Sequence, residues 1–316
     1  MKGPVLTTSA PTRSAPTRPG DRIFRGTSLA AALLILTTLA GVAIFLSAEG
    51  LPGILASADE THTGKTFWAY VGPLVFGTLW AAVIALVIAT PVAIGVALFI
   101  SHYAPRRLAG PIGFVIDLLA AVPSVVYGTW GILTLSRAMQ PVYTWLEENL
   151  SFIPLFAGPA SATGRTMLTA GLVLAIMVLP IMTAICREIF LQTPRLHEEA
   201  ALALGATRWE MTRMAVFPYA RSGIVSAAML GLGRALGETM AVAMVLSASG
   251  VITFNIISSG NPNTIAANIA QSFPESSGLL VNVLIGTGLV LFVITFVVNF
   301  LARSIVERRK EFSGAN

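Results

Sequence analysis

Charge is what this chain lacks most. Only 11% of its 316 residues are charged, against about 25% in a typical soluble domain. With 55% hydrophobic residues and a mean hydropathy of +0.78, a water-facing surface over most of the chain is excluded, and lipid must be its solvent. Cysteine is nearly absent: Cys186 stands alone, which excludes an intramolecular disulfide and a Cys-based zinc cluster. His62, His102 and His197 lie far apart without paired-ligand spacing, so a metal site is not expected. Lysine is scarce too, with only Lys2, Lys65 and Lys310, so the net charge of +5 is an arginine excess. It sits at the ends of apolar runs rather than in one patch, which argues for membrane topology and against nucleic-acid binding. Gly64-Lys65-Thr66 has the ending of a phosphate-binding P-loop, but Asp59 stands where that motif needs glycine. The chain has no ATPase site of its own, and any ATP hydrolysis must come from a partner. No Ser/His/Asp or Cys/His arrangement stands out.

What is present is a set of long apolar runs. A membrane-crossing helix needs about 20 predominantly apolar residues. Six segments qualify: 27–48, 71–101, 110–136, 166–186, 222–248 and 276–302. Residues 1–20 are rich in Pro, Thr, Ser and Arg, and 1–26 are expected to be a disordered cytoplasmic tail. The first run is too long for a signal-peptide core, so it is expected to remain as a crossing helix. Residues 303–316 are expected to be a C-terminal cytoplasmic tail. Residues 250–273 are moderately apolar and uncharged, and either a re-entrant segment or a short interfacial helix fits them.

The cationic side chains set the orientation. The N-terminal tail, the second-to-third connection, the fourth-to-fifth connection and the C-terminus hold 16 Lys and Arg between them. The remaining connections hold only Lys65, Arg137 and Arg165. Both termini are therefore expected in the cytoplasm. The outer connections carry Glu49, Asp59, Glu60, Glu147, Glu148 and Glu275 instead, and are too short for a folded domain. Small residues recur within the runs (Ala81-Ala82, Ala120-Ala121, Ala227-Ala228, Gly231 and Gly233), as helix packing in lipid requires.

The cytoplasmic connection 187–221 is long and charged. Thr193-Pro194 reads as a helix start and Gly205 as its stop. Thr207 and Glu210 fit a capping box that opens a second helix, expected to end near Pro218. An amphipathic loop resting on the bilayer and a docking element for another protein both fit this pair. Within the fifth run, Arg234 lies 12 residues from Ser222, about 18 Å along a helix and so near the bilayer midplane. A charge there is costly and needs a partner or water. Glu238, four residues on, is expected on the same helix face. The two residues form either an ion pair that tethers neighbouring helices or a pair lining a path for an anion, since a guanidinium can donate two hydrogen bonds to an oxyanion. Pro123, followed by Ser124, should kink the third run, as structure or as a gate.

Glu199-Ala200-Ala201, three residues on Gly205, and nine more residues before Ala215-Val216-Phe217-Pro218, resembles the EAA loop of the binding-protein-dependent ABC-importer permeases. Ala215 and Phe217 depart from the Ile and Leu usual there. The stretches 230–241, 121–128 and 179–183 resemble the phosphate-importer permeases, most closely those of PstC type, with PstA type related. Together these resemblances cover most of 71–302. They imply an all-α integral membrane protein with six transmembrane helices and the type I ABC-importer permease fold. They imply a cell-membrane phosphate importer shared with a PstA-like permease, two cytoplasmic ABC ATPase subunits and an extracytoplasmic phosphate-binding protein. No cofactor is expected in this chain; the partner ATPase uses ATP and Mg. The loop would couple to that ATPase through Glu199, Ala200, Ala201, Gly205 and Pro218, and Arg234 and Glu238 would line the path. The alternatives are a permease for another oxyanion (molybdate, sulfate or phosphonate) and an ion-coupled secondary transporter with Glu238 as its proton site.

Overall fold

The computed structural model describes residues 19–60 and 64–310, and among these the regular structure is helical, with no strand. Five helices are long and apolar enough to cross a membrane, and a sixth crossing follows if the bent pair Arg107–Ala120 and Ser124–Leu150 counts as one span. The class that the resemblance implies, an all-α integral membrane protein, is the class observed.

Contacts divide the chain into two units, Met1–Phe45 and Leu46–Asn316. The first contains most of helix α1 (Pro19–Leu55), whose apolar side chains Leu33, Ile35 and Leu39 are exposed, as suits a surface bathed in lipid. The tail expected over 1–26 is corrected here. The helix already begins at Pro19, because proline suits a first helical position and Asp21 complements the helix dipole in the first turn. Residues 1–18 lie outside the described residues.

In the second unit, α2 (Phe67–Leu98) packs on α6 (Met167–Leu191). Ala81, Ala85, Ala89, Ala93 and Ala97 recur every four residues and are all buried, giving α2 one smooth face. On α6, a Cβ at Gly171 would stand 2.4 Å from Ile84 Cγ2. In lipid no hydrophobic force draws helices together, so close approach through small residues must supply the attraction. α9 (Phe217–Leu236) lies against the same pair, with Gly231 facing the Met182 sulfur.

Two expected helices are interrupted. The third run is α3 (Arg106–Ala120), a break, and α4 (Ser124–Trp130), continuing through a wide turn (Gly131–Leu135) into α5 (Ser136–Leu150). The bend is 92°, far beyond a proline kink. Pro123 caps α4 with φ −59° and ψ 141°, and proline also drives Val122 away from the helical region. The fifth run stops at Leu236 rather than near residue 248. At the far end, α12 (Leu279–Lys310) carries helix through 303–310, where a tail was expected; residues 311–316 lie outside the described residues.

Residues 250–273 combine irregular chain with one short helix. Most of the segment is irregular chain, and only α11 (Ile265–Ser272) is helical. Asn261 is fully buried: its Oδ1 accepts from Met167 N (3.2 Å), while Nδ2 donates to Ser258 O (2.9 Å) and Ser247 O (3.2 Å). Asn255 Nδ2 donates to Gly158 O at 2.9 Å, and Thr78 Oγ1 accepts from Ile265 N at 2.9 Å. Side-chain amides thus satisfy backbone that no helix serves, which is how irregular chain persists when buried in a membrane protein.

Gly164 lies beside this segment with φ +69°, and a Cβ there would stand 1.9 Å from the Ser136 carbonyl oxygen. Gly164→Ala is expected to cost about 2–5 kcal/mol from backbone strain and overlap together. A thermal unfolding scan of the purified protein should show the loss, while Gly95→Ala, where a Cβ meets nothing within 4 Å, should leave the midpoint essentially in place.

Candidate functional site

Arg234 is half-buried on α9, on the wall of a cleft of about 760 Å³ shared with α6 and α12. Among the described residues no carboxylate lies within 4.0 Å of its guanidinium. The expected pairing with Glu238 does not form. Four-residue spacing brings two side chains together only in an unbroken helix, and α9 ends at Leu236 with Gly237 as its cap. Glu238 falls in the gap before α10 (Met240–Val245). The Glu238 carboxylate is buried, and its Oε1 accepts from Ala241 N at 3.0 Å. It thereby satisfies an otherwise orphaned donor at the start of α10.

α10 lies on α4: a Cβ at Gly128 would stand 2.9 Å from Ala241 Cα. The two helix breaks, at Pro123 and at Gly237, therefore belong to one neighbourhood. Tyr127 spans the first break, its hydroxyl donating to Leu119 O at 2.9 Å. Pro123 is exposed, and Ser124 is the first residue of α4. Of the candidates drawn from the sequence, Arg234, Glu238, Pro123 and Ser124 gather around these two breaks.

The second constellation is an elbow. α7 (Arg195–Ala203) is followed by Gly205 with φ +87°, a conformation that glycine adopts without strain. α8 (Arg208–Met211) opens with the capping box: Thr207 N donates to Glu210 Oε2 at 2.8 Å, and Glu210 N to Thr207 Oγ1 at 3.3 Å. The second helix does not end at Pro218. It passes through a wide turn (Thr212–Val216) directly into α9, and the loosened turn accommodates a proline near the start of α9. The elbow is therefore continuous with the span that holds Arg234. Ala201 is buried with Met211 and Val216, whereas Glu199, Ala200, Gly205 and Pro218 are exposed. A groove of about 470 Å³ runs between Ala200 and Leu204 on one side and Met214 and Pro218 on the other. Leu196 and Leu204 are 77% and 86% exposed, a heavy apolar load for a surface facing water alone. Phe217, one of the two departures from the usual pattern, packs edge-on against Phe190 and Trp209.

Sequence reading missed two groups. His102 Nε2 lies 3.4 Å from Glu198 Oε1, and Ser101 Oγ lies 2.7 Å from His102 Nδ1, tying the wide turn after α2 (Phe99–Tyr103) to α7. Asn299 and Arg303 of α12 share the cleft with Arg234. Neither group carries a local signal, because its members are brought together from distant parts of the chain. Among the described residues no cluster of His, Cys, Asp and Glu fit for a metal is found.

Comparison with known proteins adds the family. Residues 89–311 match the family described as binding-protein-dependent transport system inner membrane component. The chain is 45% identical over 302 residues to the phosphate transport system permease protein PstC 2 of Mycobacterium tuberculosis, covering 92% of this chain and 93% of that protein. With the phosphate transport system permease protein PstC of Mesorhizobium japonicum the identity is 40% over 308 residues, covering 93% and 92%. Among solved structures, a bacterial ABC transporter that imports the acidic polysaccharide alginate superposes with a TM-score of 0.55 at 17% identity, covering 92% of this chain and 99% of that one. The fold is thus that of an ABC-importer permease, a transport subunit that works in a complex with other ABC subunits in the inner membrane. With an elbow of this form and relatives this similar along nearly the whole length, the chain belongs to the binding-protein-dependent transport system inner membrane components, in their PstC branch.

Proposed function

We propose that this chain is one of two membrane-spanning subunits of an ATP-driven phosphate importer. A PstA-like permease supplies the other half of the pathway, and an extracytoplasmic binding protein delivers phosphate to the outer face. Two cytoplasmic ATPase subunits, using ATP and Mg, drive the elbow at α7 and α8, and both termini lie on their side of the membrane. The observation that carries this reading is Arg234: a guanidinium on the wall of a cleft within a membrane span, with no carboxylate within 4.0 Å among the described residues. Placing such a charge in a bilayer costs at least about 2.5–3.5 kcal/mol, and a transient oxyanion partner gives it a purpose. Glu238 faces a backbone N–H at the start of α10, which suits a fixed anionic cap better than a proton carrier. Elbow motion would expose Arg234 to one side of the membrane and then the other.

Reconstitution in liposomes tests this. The full assembly should accumulate labelled phosphate only with ATP and Mg on the ATPase side and the binding protein on the other. Unlabelled phosphate should compete, and sulfate and molybdate should not. Phosphate uptake by this chain alone, driven by an ion gradient without ATPase, would overturn the reading.

A further inference from the structure

We propose that His102 is a positioning residue for transport, the joint through which the elbow drives α2 as well as α9. This rests on the phosphate-import reading above and adds a second route by which ATP-driven motion enters the membrane. His102 stands in the wide turn that ends α2, and its Nε2 lies 3.4 Å from Glu198 Oε1 on α7. The His102 side chain is 9% exposed and that of Glu198 22%, so the contact is partly shielded from water and salt. Ser101 decides which ring nitrogen faces the carboxylate as a donor. Its Oγ is 2.7 Å from His102 Nδ1 and 3.3 Å from Leu98 O. When the hydroxyl donates to Nδ1, the ring hydrogen sits on Nε2 and points at Glu198. When Nδ1 also carries a hydrogen, the hydroxyl accepts from it and turns its own hydrogen to Leu98 O. Nε2 donates to Glu198 in both arrangements.

His102 also meets the other half of the elbow, through aromatic rings. Its ring packs edge-on to Phe190 of α6 with centroids 6.5 Å apart. Phe190, fully buried, meets Phe217 of α9 at 6.2 Å, and Phe217 meets Trp209 of α8 at 6.2 Å. The contacts form a closed ring, from His102 to α7 through Glu198, around Gly205 to Trp209, and back through Phe217 and Phe190. An elbow enclosed in this way cannot swing about Gly205 without moving the end of α2. At its other end, α2 holds the segment 250–273. Thr78 Oγ1 accepts from Ile265 N at 2.9 Å, and the Tyr70 hydroxyl accepts from Asn268 Nδ2 at 2.7 Å. From Thr78 to Leu98 the helix rises about 30 Å, the thickness of the hydrocarbon core. One rod thus joins the elbow to the opposite face of the membrane.

The test uses the assembled complex in liposomes and reads labelled phosphate transported per ATP hydrolysed. His102→Ala should lower this ratio about fivefold, the scale of one lost hydrogen bond. His102→Gln, whose amide can donate to Glu198, should restore most of it. Glu198→Ala should match His102→Ala, and the double variant should be no worse than either alone, because both remove the same link. Should His102→Ala fail to assemble, Glu198→Ala and its rescue by Glu198→Gln decide. Movement of α2 is read from a nitroxide on Thr66→Cys, an exposed position just before α2 whose side chain makes no cap hydrogen bond. Cys186 is 1% exposed and should not take the label, and the partner subunits are used without exposed cysteine. The spectrum should change on adding ATP and Mg with His102 in place, and stay fixed in His102→Ala or Glu198→Ala. An unchanged ratio in the alanine variants, single losses that multiply in the double variant, or a spectral change that persists without the link would overturn the proposal. Uptake separates the two ideas: a complex that imports phosphate with indifferent variants loses only this proposal, and one that imports nothing with His102 and Glu198 intact loses the import reading.

Discussion

Arg234→Ala is expected to abolish phosphate uptake, a loss of at least about 100-fold, in a complex that still assembles. The cleft wall presents this guanidinium without a carboxylate within 4.0 Å among the described residues, so its removal strands no buried acid. Glu238 keeps its bond from Ala241 N, because that contact is local to the start of α10. The fold should therefore survive while the anion loses its strongest partner. Truncating one member of a buried hydrogen-bonded charge pair costs about 2–5 kcal/mol, and each 1.4 kcal/mol is about tenfold. Arg234→Lys separates charge from geometry: an ammonium keeps the sign but not the planar fork, so uptake should fall by about tenfold rather than vanish. The check is labelled phosphate uptake at saturating substrate, alongside co-purification of the partner subunits. Wild-type uptake by the alanine variant would leave Arg234 a structural residue.

Gly205→Pro should uncouple ATP hydrolysis from transport. Gly205 has φ +87°, and proline is confined near −65°, so the joint between α7 and α8 cannot keep its shape. Proline would also delete the Gly205 N–H that donates to Leu202 O at 3.0 Å. Gly205→Ala is the informative comparison. A Cβ there meets nothing within 4 Å, so alanine pays only the left-handed backbone strain, about 1–2 kcal/mol. The alanine variant should retain most coupling, whereas the proline variant should lose stimulation of the ATPase by the loaded binding protein by about tenfold or more. Charge reversal at the exposed Glu199 should act in the same direction without disturbing the joint. The measurement is phosphate transported per ATP hydrolysed, and an unchanged ratio in the proline variant would remove the elbow from the coupling path.

The elbow was legible in the sequence because its signals are local. A capping box, a glycine stop and the spacing from Glu199 to Pro218 each depend on a few neighbouring residues, and the geometry at Thr207, Glu210 and Gly205 follows them. The structure departs from the sequence signal at Pro218, where proline predicts a helix end. A wide turn just before it lets the chain continue, with Val216 and Ala220 buried in a cluster that also holds Cys186 and Phe190 of α6. The Arg234–Glu238 pairing failed for a related reason. Spacing assumes an unbroken helix, and Gly237 ends one between them.

Hydropathy and the distribution of arginine determined by themselves that this chain lives in lipid, about how often it crosses, and which connections carry the positive charge, because solvent transfer acts residue by residue. Only the tertiary structure decided that Pro123 turns the chain through 92° and that the break after Gly237 lies beside it. It also decided that 250–273 is largely irregular chain held by Asn255 and Asn261, and that Arg303 shares a cleft with Arg234. Those outcomes depend on which helices touch. In lipid that choice is made by close packing at residues such as Ala85, Gly128 and Gly171, whose partners lie far away along the chain.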